Sequence, residues 1–471
     1  MRARGLPFLV VALLLAMLSP VLPASTDPPE VGAAAAVDVV TPSSEFVELL
    51  EADDQAQPVR MNKLRNSTLR RFKHFGDGEG IDVALIDTGV SPVAGLDDGR
   101  VLHGPDLSNE GHIPELAYLD SYGHGTHLAG IIAGDRAGNV GFAPEARIIS
   151  VKVAGRDGIT TVPQVVAAID WVVEHRDRDG LNIRVLNLSL GLSGVPDHEG
   201  DLLSAAVERA WDAGIFVVVA AGNDGHTQDH LDSPAISPFI LAVGASDTTS
   251  GRRATWTIPA WSATGNGERD PDLVAPGRSI ASYRVPGSTI DQLAPGARFG
   301  DDLFLGSGTS QSAAVATGVA ARLLSVLPEM TNEDLKATLS SGTRNIDAPR
   351  SRGGGGYLDG QRTINRIYMW VPQQLHRRAA GEGQGILAPS GATWSGGQWN
   401  GATWSGATWS GAVWSGGTWS GATWSGATWS GATWSGATWS GATWSGATWS
   451  GATWSGATWS GATWSGAGWD L

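Results

Sequence analysis

The sequence predicts an α/β fold: a doubly wound, mostly parallel sheet with helices on both faces. Two patterns carry that reading. Short, near-continuously apolar runs alternate with stretches of helical periodicity from about residue 80 to residue 340. Strands that are apolar along their whole length belong in a sheet covered on both sides. Alternation of strand and helix then implies a parallel sheet with right-handed crossovers. A third pattern sets the end of the chain apart, where a five-residue unit repeats from Gly391 to Asp470.

Taken in order, the chain opens with Arg2 and Arg4, an apolar run from Leu6 to Leu18, Pro20, and small residues at Pro23-Ala24-Ser25. Charged, apolar, then small is the order of a secretory signal peptide, here residues 1–24. A bilayer anchor needs about 20 apolar residues, more than this run offers, so export without an anchor is expected. Residues 25–79 read as a short pro-segment or N-terminal lead, polar and acidic up to about residue 60. The runs Ile81–Asp87, Ala146–Val153, Ile183–Ser189, Ile215–Ala221 and Phe239–Ala245 read as strands. Val165, Val166, Ile169, Val172 and Val173 share helical register within Val162–His175. Asp201–Ala213 and the small-residue stretch Gly308–Leu327 are helices by the same reasoning, and Thr331 with Asp334 is a weak variant of the capping box. The globular part, residues 80–370, is followed by a linker (371–390) and the repeat region (391–471).

Composition narrows the function classes. The formal net charge of −15 argues against nucleic acid as a partner, because phosphate binding needs clustered Lys and Arg. With no cysteine, disulfides, thiolate metal sites and a cysteine nucleophile are all excluded. A domain of this size has core enough to do without disulfides.

Three motifs can carry chemistry: Leu85-Ile-Asp87-Thr-Gly89, Gly123-His124-Gly-Thr-His127-Leu-Ala-Gly130, and Gly308-Thr-Ser310-Gln-Ser312. Singly, each has a plainer reading. Asp-Thr-Gly also occurs in aspartic proteases, which need two such aspartates. His124 and His127 could be metal ligands, although the glutamate of the zinc-protease helix is missing. Ser310 alone could be a helix N-cap. Together, in the order Asp, His, Ser, they match the order of the subtilisin triad.

From about residue 80 to 365 the chain resembles the peptidase domain of the subtilisin-like (subtilase) family. Asn187-Leu-Ser189-Leu-Gly191, Ala220-Ala-Gly222-Asn223, Ser233-Pro-Ala235 and Val274-Ala-Pro276-Gly277 look like family segments in family order. The resemblance implies a subtilisin-like sheet and a serine endopeptidase with Asp87, His124 and Ser310 as catalytic residues. It further implies an oxyanion hole of the Asn223 amide and the Ser310 backbone N–H, and a substrate-binding edge at Ser189, Leu190 and Gly191. His127 is expected in the core. Protein or peptide substrates follow, with no cofactor required for the chemistry. Calcium stays open, because between Gly130 and Gly141 only Asp135 and Asn139 offer oxygens, where the ion wants six to eight. The proline usual two residues after the second serine is replaced by Ala314. The pre-catalytic segment is also short for a chaperone-like propeptide.

The sixteen pentads, close to Gly-Ala-Thr-Trp-Ser, hold sixteen of the 21 tryptophans and one charged side chain, Asp470. They read either as a flexible low-complexity tail or as a β-stack like the pentapeptide-repeat solenoid, with about four square coils. Tryptophan stacking would suit glycan or cell-surface contact. The expectation is thus a secreted, monomeric peptidase that its repeat could hold at a cell surface. The alternative is a surface-binding or structural protein whose peptidase domain acts only in self-processing.

Overall fold

The computed structural model describes residues 57–70, 75–250 and 256–367, with the backbone of Ala36–Asp38 and of sixteen three-residue strands between Thr393 and Asp470. The expected signal sequence, the linker at 371–390 and most of the lead before residue 57 lie outside the described residues.

A nine-stranded sheet forms the centre. Its strands are β1 (Asp82–Asp87), β2 (Val101–Asp106), β3 (Arg147–Lys152), β4 (Ile183–Leu188), β5 (Phe216–Ala220), β6 (Leu241–Ser246), β7 (Leu273–Pro276), β8 (Thr343–Arg344) and β9 (Tyr357–Leu358). They lie in the order β8-β9-β7-β6-β5-β4-β1-β3-β2. Every pair is parallel except β8 with β9. All residues of β1, β5, β6 and β7 are buried, as both-face coverage requires. The helices that cover the sheet are α2 (His124–Ala133), α3 (Val162–Glu174), α4 (Leu202–Asp212) and α5 (Thr309–Val326). Of these, α3 packs against α4, and α2 against α5.

Local signals explain where these helices begin. Thr161 and Gln164 close a reciprocal capping box at the start of α3, and the Asp201 carboxylate accepts from Ser204 N at the start of α4. Thr331 accepts from Asp334 N before the helix Asn332–Ser341. Each device satisfies backbone donors that the first turn leaves unpaired.

Two elements differ from the sequence expectation. The edge strand β2 reads Val-Leu-His-Gly-Pro-Asp and so lacks the apolar run that marks strands such as β1 and β5. A strand with proline belongs at an edge, where one row of donors goes unused. The second is α1, the helix Met61–Leu69, within the segment expected to be a lead. Met61, Leu64 and Leu69 are fully buried in the main core, and Thr68 Oγ1 lies 2.9 Å from the Tyr357 hydroxyl. Just before it, Val59–Arg60 pairs in parallel with Ile280–Ala281. Farther upstream, Ala36–Asp38 pairs antiparallel with Ile159–Thr161.

In the repeat, each strand pairs in parallel with the strand twenty residues on, Trp394 opposite Trp414 and Trp414 opposite Trp434. Four four-stranded sheets result.

Candidate active site

Asp87 ends β1, a strand whose neighbours are β3 on one side and β4 on the other. The carboxyl ends of such strands are where open α/β sheets collect functional groups. His124 opens α2. Its Nδ1 stands 2.9 Å from Asp87 Oδ1 and 3.1 Å from Oδ2, with the Asp87 side chain wholly buried. Gly125 permits this approach, since a Cβ there would overlap the carbonyl oxygen of Gly89 and reach to 3.1 Å from Asp87 Oδ1.

The pair is braced by Thr88 and by Asp120, the latter outside every motif. Thr88 donates to Asp87 Oδ1 from its backbone N–H (2.8 Å) and to Asp120 Oδ1 from its hydroxyl (2.8 Å). Asp120 in turn accepts from the backbone N–H groups of Gly123 (2.6 Å) and Thr126 (2.8 Å), the residues either side of His124-Gly125. Burial pushes the Asp120 carboxyl up, against those donors. For His124 burial disfavours the imidazolium, but the charge and hydrogen bond of Asp87, with the charge of Asp120, together hold the ring above the ordinary histidine range.

His127, one turn along the same helix, goes the other way. Burial, with His124 adding to it, pushes it down to about 4. Its Nε2 lies 3.2 Å from both Ile280 O and Phe304 O, so this nitrogen carries the proton of a neutral ring. The residue is a core histidine, as expected from the sequence.

Ser310 lies in the first turn of α5, the helix that packs against α2. Its hydroxyl lies 3.4 Å from Ser189 O and, among the described residues, makes no hydrogen bond with His124. Asn223, three residues past β5, has its orientation set by Thr309, whose N–H (2.9 Å) and hydroxyl (3.1 Å) both meet Asn223 Oδ1. With Oδ1 occupied by the residue next to Ser310, the Nδ2 group is left as the donor. Ser189, Leu190 and Gly191 follow β4 outside any strand; the next residue, Leu192, bridges antiparallel to Ser233. Ala314 is fully buried in α5, and the helix runs unbroken through it.

Asp135 and Asn139 fall on the two strands of a short hairpin. Buried Asn139 Oδ1 has no hydrogen-bond partner, yet two side chains are far short of a calcium shell. No group of three His, Asp or Glu among the described residues could hold a metal ion.

Residues 78–361 match the subtilase family, Peptidase S8. The chain belongs to the subtilase family. This subtilase is 37% identical over 277 residues to the serine protease AprX of Bacillus subtilis, covering 56% of this chain and 62% of that one. It is 35% identical over 250 residues to the subtilisin-like protease 1 of Arthroderma gypseum, covering 53% of this chain and 44% of the fungal protein. Thus the subtilase spans less than two thirds of the length of either relative. A crystal structure of a cold adapted subtilisin-like serine proteinase is similar at 28% identity and a TM-score of 0.47, covering 60% of this chain and 90% of that one. Among the described residues no helix is long and apolar enough to cross a membrane.

Proposed function

We propose that the chain is a secreted serine endopeptidase that cleaves peptide bonds through an acyl-enzyme, with Asp87, His124 and Ser310 as its triad. The observation that carries this reading is the buried Asp87–His124 pair at 2.9 Å, on a helix packed against the one that Ser310 opens. Membership of a family whose relatives include serine proteases supports it.

In this reading His124 Nε2 takes the Ser310 proton as Oγ attacks the carbonyl carbon, and later gives it to the leaving amine. Asp87 holds the Nδ1–H tautomer and stabilises the imidazolium. The oxygen that becomes negative is met by Asn223 Nδ2 and by Ser310 N–H, at a helix N-terminus whose dipole favours the charge. The backbone at Ser189–Gly191 pairs with the extended substrate. No cofactor enters any of these steps. The peptidase unit extends from about residue 57 to 367, because α1 supplies three core side chains. The twenty-residue pairing offset of the repeat, four pentads, supports a stacked appendage over a flexible tail. That favours a surface-contact role alongside peptidase activity.

Casein degradation with and without a serine-directed inhibitor tests the proposal. The expected result is complete inhibition by the covalent inhibitor; degradation that survives full labelling of the protein would overturn it.

A further inference from the structure

Behind the strand end that carries Asn223 lies a second buried carboxylate. Asp232 is only 7% exposed. Its backbone N–H donates to Ala221 O, and the next residue, Ser233, pairs with Leu192. The segment is thus held between the Ser189–Gly191 stretch and the Gly222-Asn223 turn. The side chain fits there because both neighbours are glycines. A Cβ on Gly222 would stand 2.5 Å from Asp232 Oδ2, and one on Gly191 would stand 3.0 Å from Asp232 Cβ.

A second acid faces it. Ser193 Oγ lies 2.8 Å from Asp224 Oδ2 and 3.1 Å from Asp232 Oδ1, so two carboxylates share one hydroxyl. Gln228 Nε2 adds a donor to Asp224. Among the described residues neither carboxylate pairs with a lysine or arginine. The titratable groups acting on Asp232 are Asp224, which opposes its ionisation, and His230, which favours it. Buried carboxylates are ordinarily paired or neutralised. Here two are held together, and among the described residues no lysine or arginine neutralises them.

Their place says where a cation would come from. Asn223 follows Gly222 directly and Gly191 ends the stretch assigned to the substrate backbone, and both glycines touch Asp232, so its carboxylate stands beside the residue whose carbonyl Asn223 would meet. We propose that Asp232, supported by Asp224, is a specificity-determining residue that selects lysine or arginine immediately before the scissile bond. This rests on the serine-peptidase reading above and adds the substrate class to it. The ammonium or guanidinium completes the ion pair that the fold leaves half-built, and ionised Asp232 is the form that binds it. Burial, with Asp224 beside it, pushes the free Asp232 carboxyl up to about 7. Selection for a basic side chain should therefore strengthen as pH rises through about 7.

The test uses the full chain and four fluorogenic tetrapeptide amides that differ only at the residue before the scissile bond: Arg, Lys, Phe or Leu. At pH 8.5 the ratio of kcat/KM for Arg over Phe should be at least about tenfold, and Asp232→Asn should lower that ratio roughly 30-fold or more. The ratio should also rise with pH through about 7, and because it compares two substrates of one enzyme, the titration of His124 cancels. Equal or preferred cleavage after Phe by the unmodified chain would overturn the inference, whether or not Asp232→Asn folds. Binding of the same peptides to full-length Ser310→Ala, read by fluorescence polarisation, separates this inference from the reading it rests on. Tighter binding of the Arg peptide without any turnover in the unmodified chain would uphold the selection and sink the peptidase. Turnover without preference for Arg would do the reverse.

Discussion

Asp87, at the carboxyl end of β1, and Asp232, in the loop after β5, are both buried carboxylates, yet their surroundings differ in one respect that governs what each can do. Asp87 has an imidazole at 2.9 Å and an N–H of its own chain at 2.8 Å. Asp232 has a shared hydroxyl and a second acid. Burial, with Asp224 beside it, opposes ionisation of Asp232. A carboxylate completed inside the chain can spend its charge on orienting a base, whereas one left incomplete is built to be completed by what binds. The comparison can be broken at either end.

The largest effect belongs to the completed end. Ser310→Ala and His124→Ala should each reduce kcat on the order of 10⁶-fold, the size known for loss of a triad member in subtilisin. His127→Ala should instead cost stability, about 2 kcal/mol or more, because a packed ring is lost and two carbonyls lose their donor. Peptide hydrolysis alongside thermal melting checks all three. Activity within tenfold of wild type in Ser310→Ala, or dependence of chemistry on His127, would break the assignment.

Asn223 stands between the two ends, adjacent to Asp224 and tied to Thr309. Asn223→Ala should lower kcat about 10²–10³-fold with little change in KM, the range seen for the equivalent donor in subtilisin. Steady-state kinetics on one peptide are enough. A change confined to KM would move Asn223 from the developing oxyanion to ground-state binding, and with it the boundary between the two regions.

These residues were not equally legible in the sequence. Asp87, His124 and Ser310 each sit in a short motif whose glycines are needed for backbone approach, so the chemistry and its signal are adjacent. Most of the sheet was legible for a similar reason: strands buried on both faces are apolar throughout, and β1, β4 and β5 fall within one or two residues of expectation. Asp120 and Asp232 carry no such mark. Their roles arise from partners far off in sequence, such as Thr88 with Asp120 and Gly191 with Asp232. Helix α1 has no such signal, because its three apolar residues at 61, 64 and 69 stand among Asn, Lys, Arg, Ser and Thr. Only the packed core shows that those three suffice.

A smaller effect sharpens the comparison through pH. Burial opposes the imidazolium of His124, but the charge and hydrogen bond of Asp87, with the Asp120 charge, together raise its proton affinity, and only the neutral ring can take the Ser310 proton. Activity toward a Phe peptide should therefore be lost as pH falls through a value above the ordinary histidine pKa of about 6.5. A pH–kcat/KM profile with its acid midpoint below that value would show that Asp87 does not act on His124 as its distance implies.

The smallest effect is expected where neither kind of carboxylate site exists. Between Gly391 and Asp470 the repeat has one charged side chain, Asp470 itself, and no histidine. It can add neither a base nor a cation-binding pair to the chemistry. A chain ending at Ser390 should accordingly hydrolyse a soluble peptide within about twofold of the full-length rate. Retention on a particulate target is what should change, because tethering raises the local concentration of the peptidase without a new contact at Ser310. Insoluble casein or isolated cell walls, sedimented with the full-length and shortened chains, measure that retention. The same two chains test the strand pairing of the repeat: a stacked array should resist a second protease and give blue-shifted tryptophan emission, taken as the difference between them. If the shortened chain cannot cleave the soluble peptide, the repeat is part of the catalytic fold, and chemistry in this protein is not confined to residues 57–367.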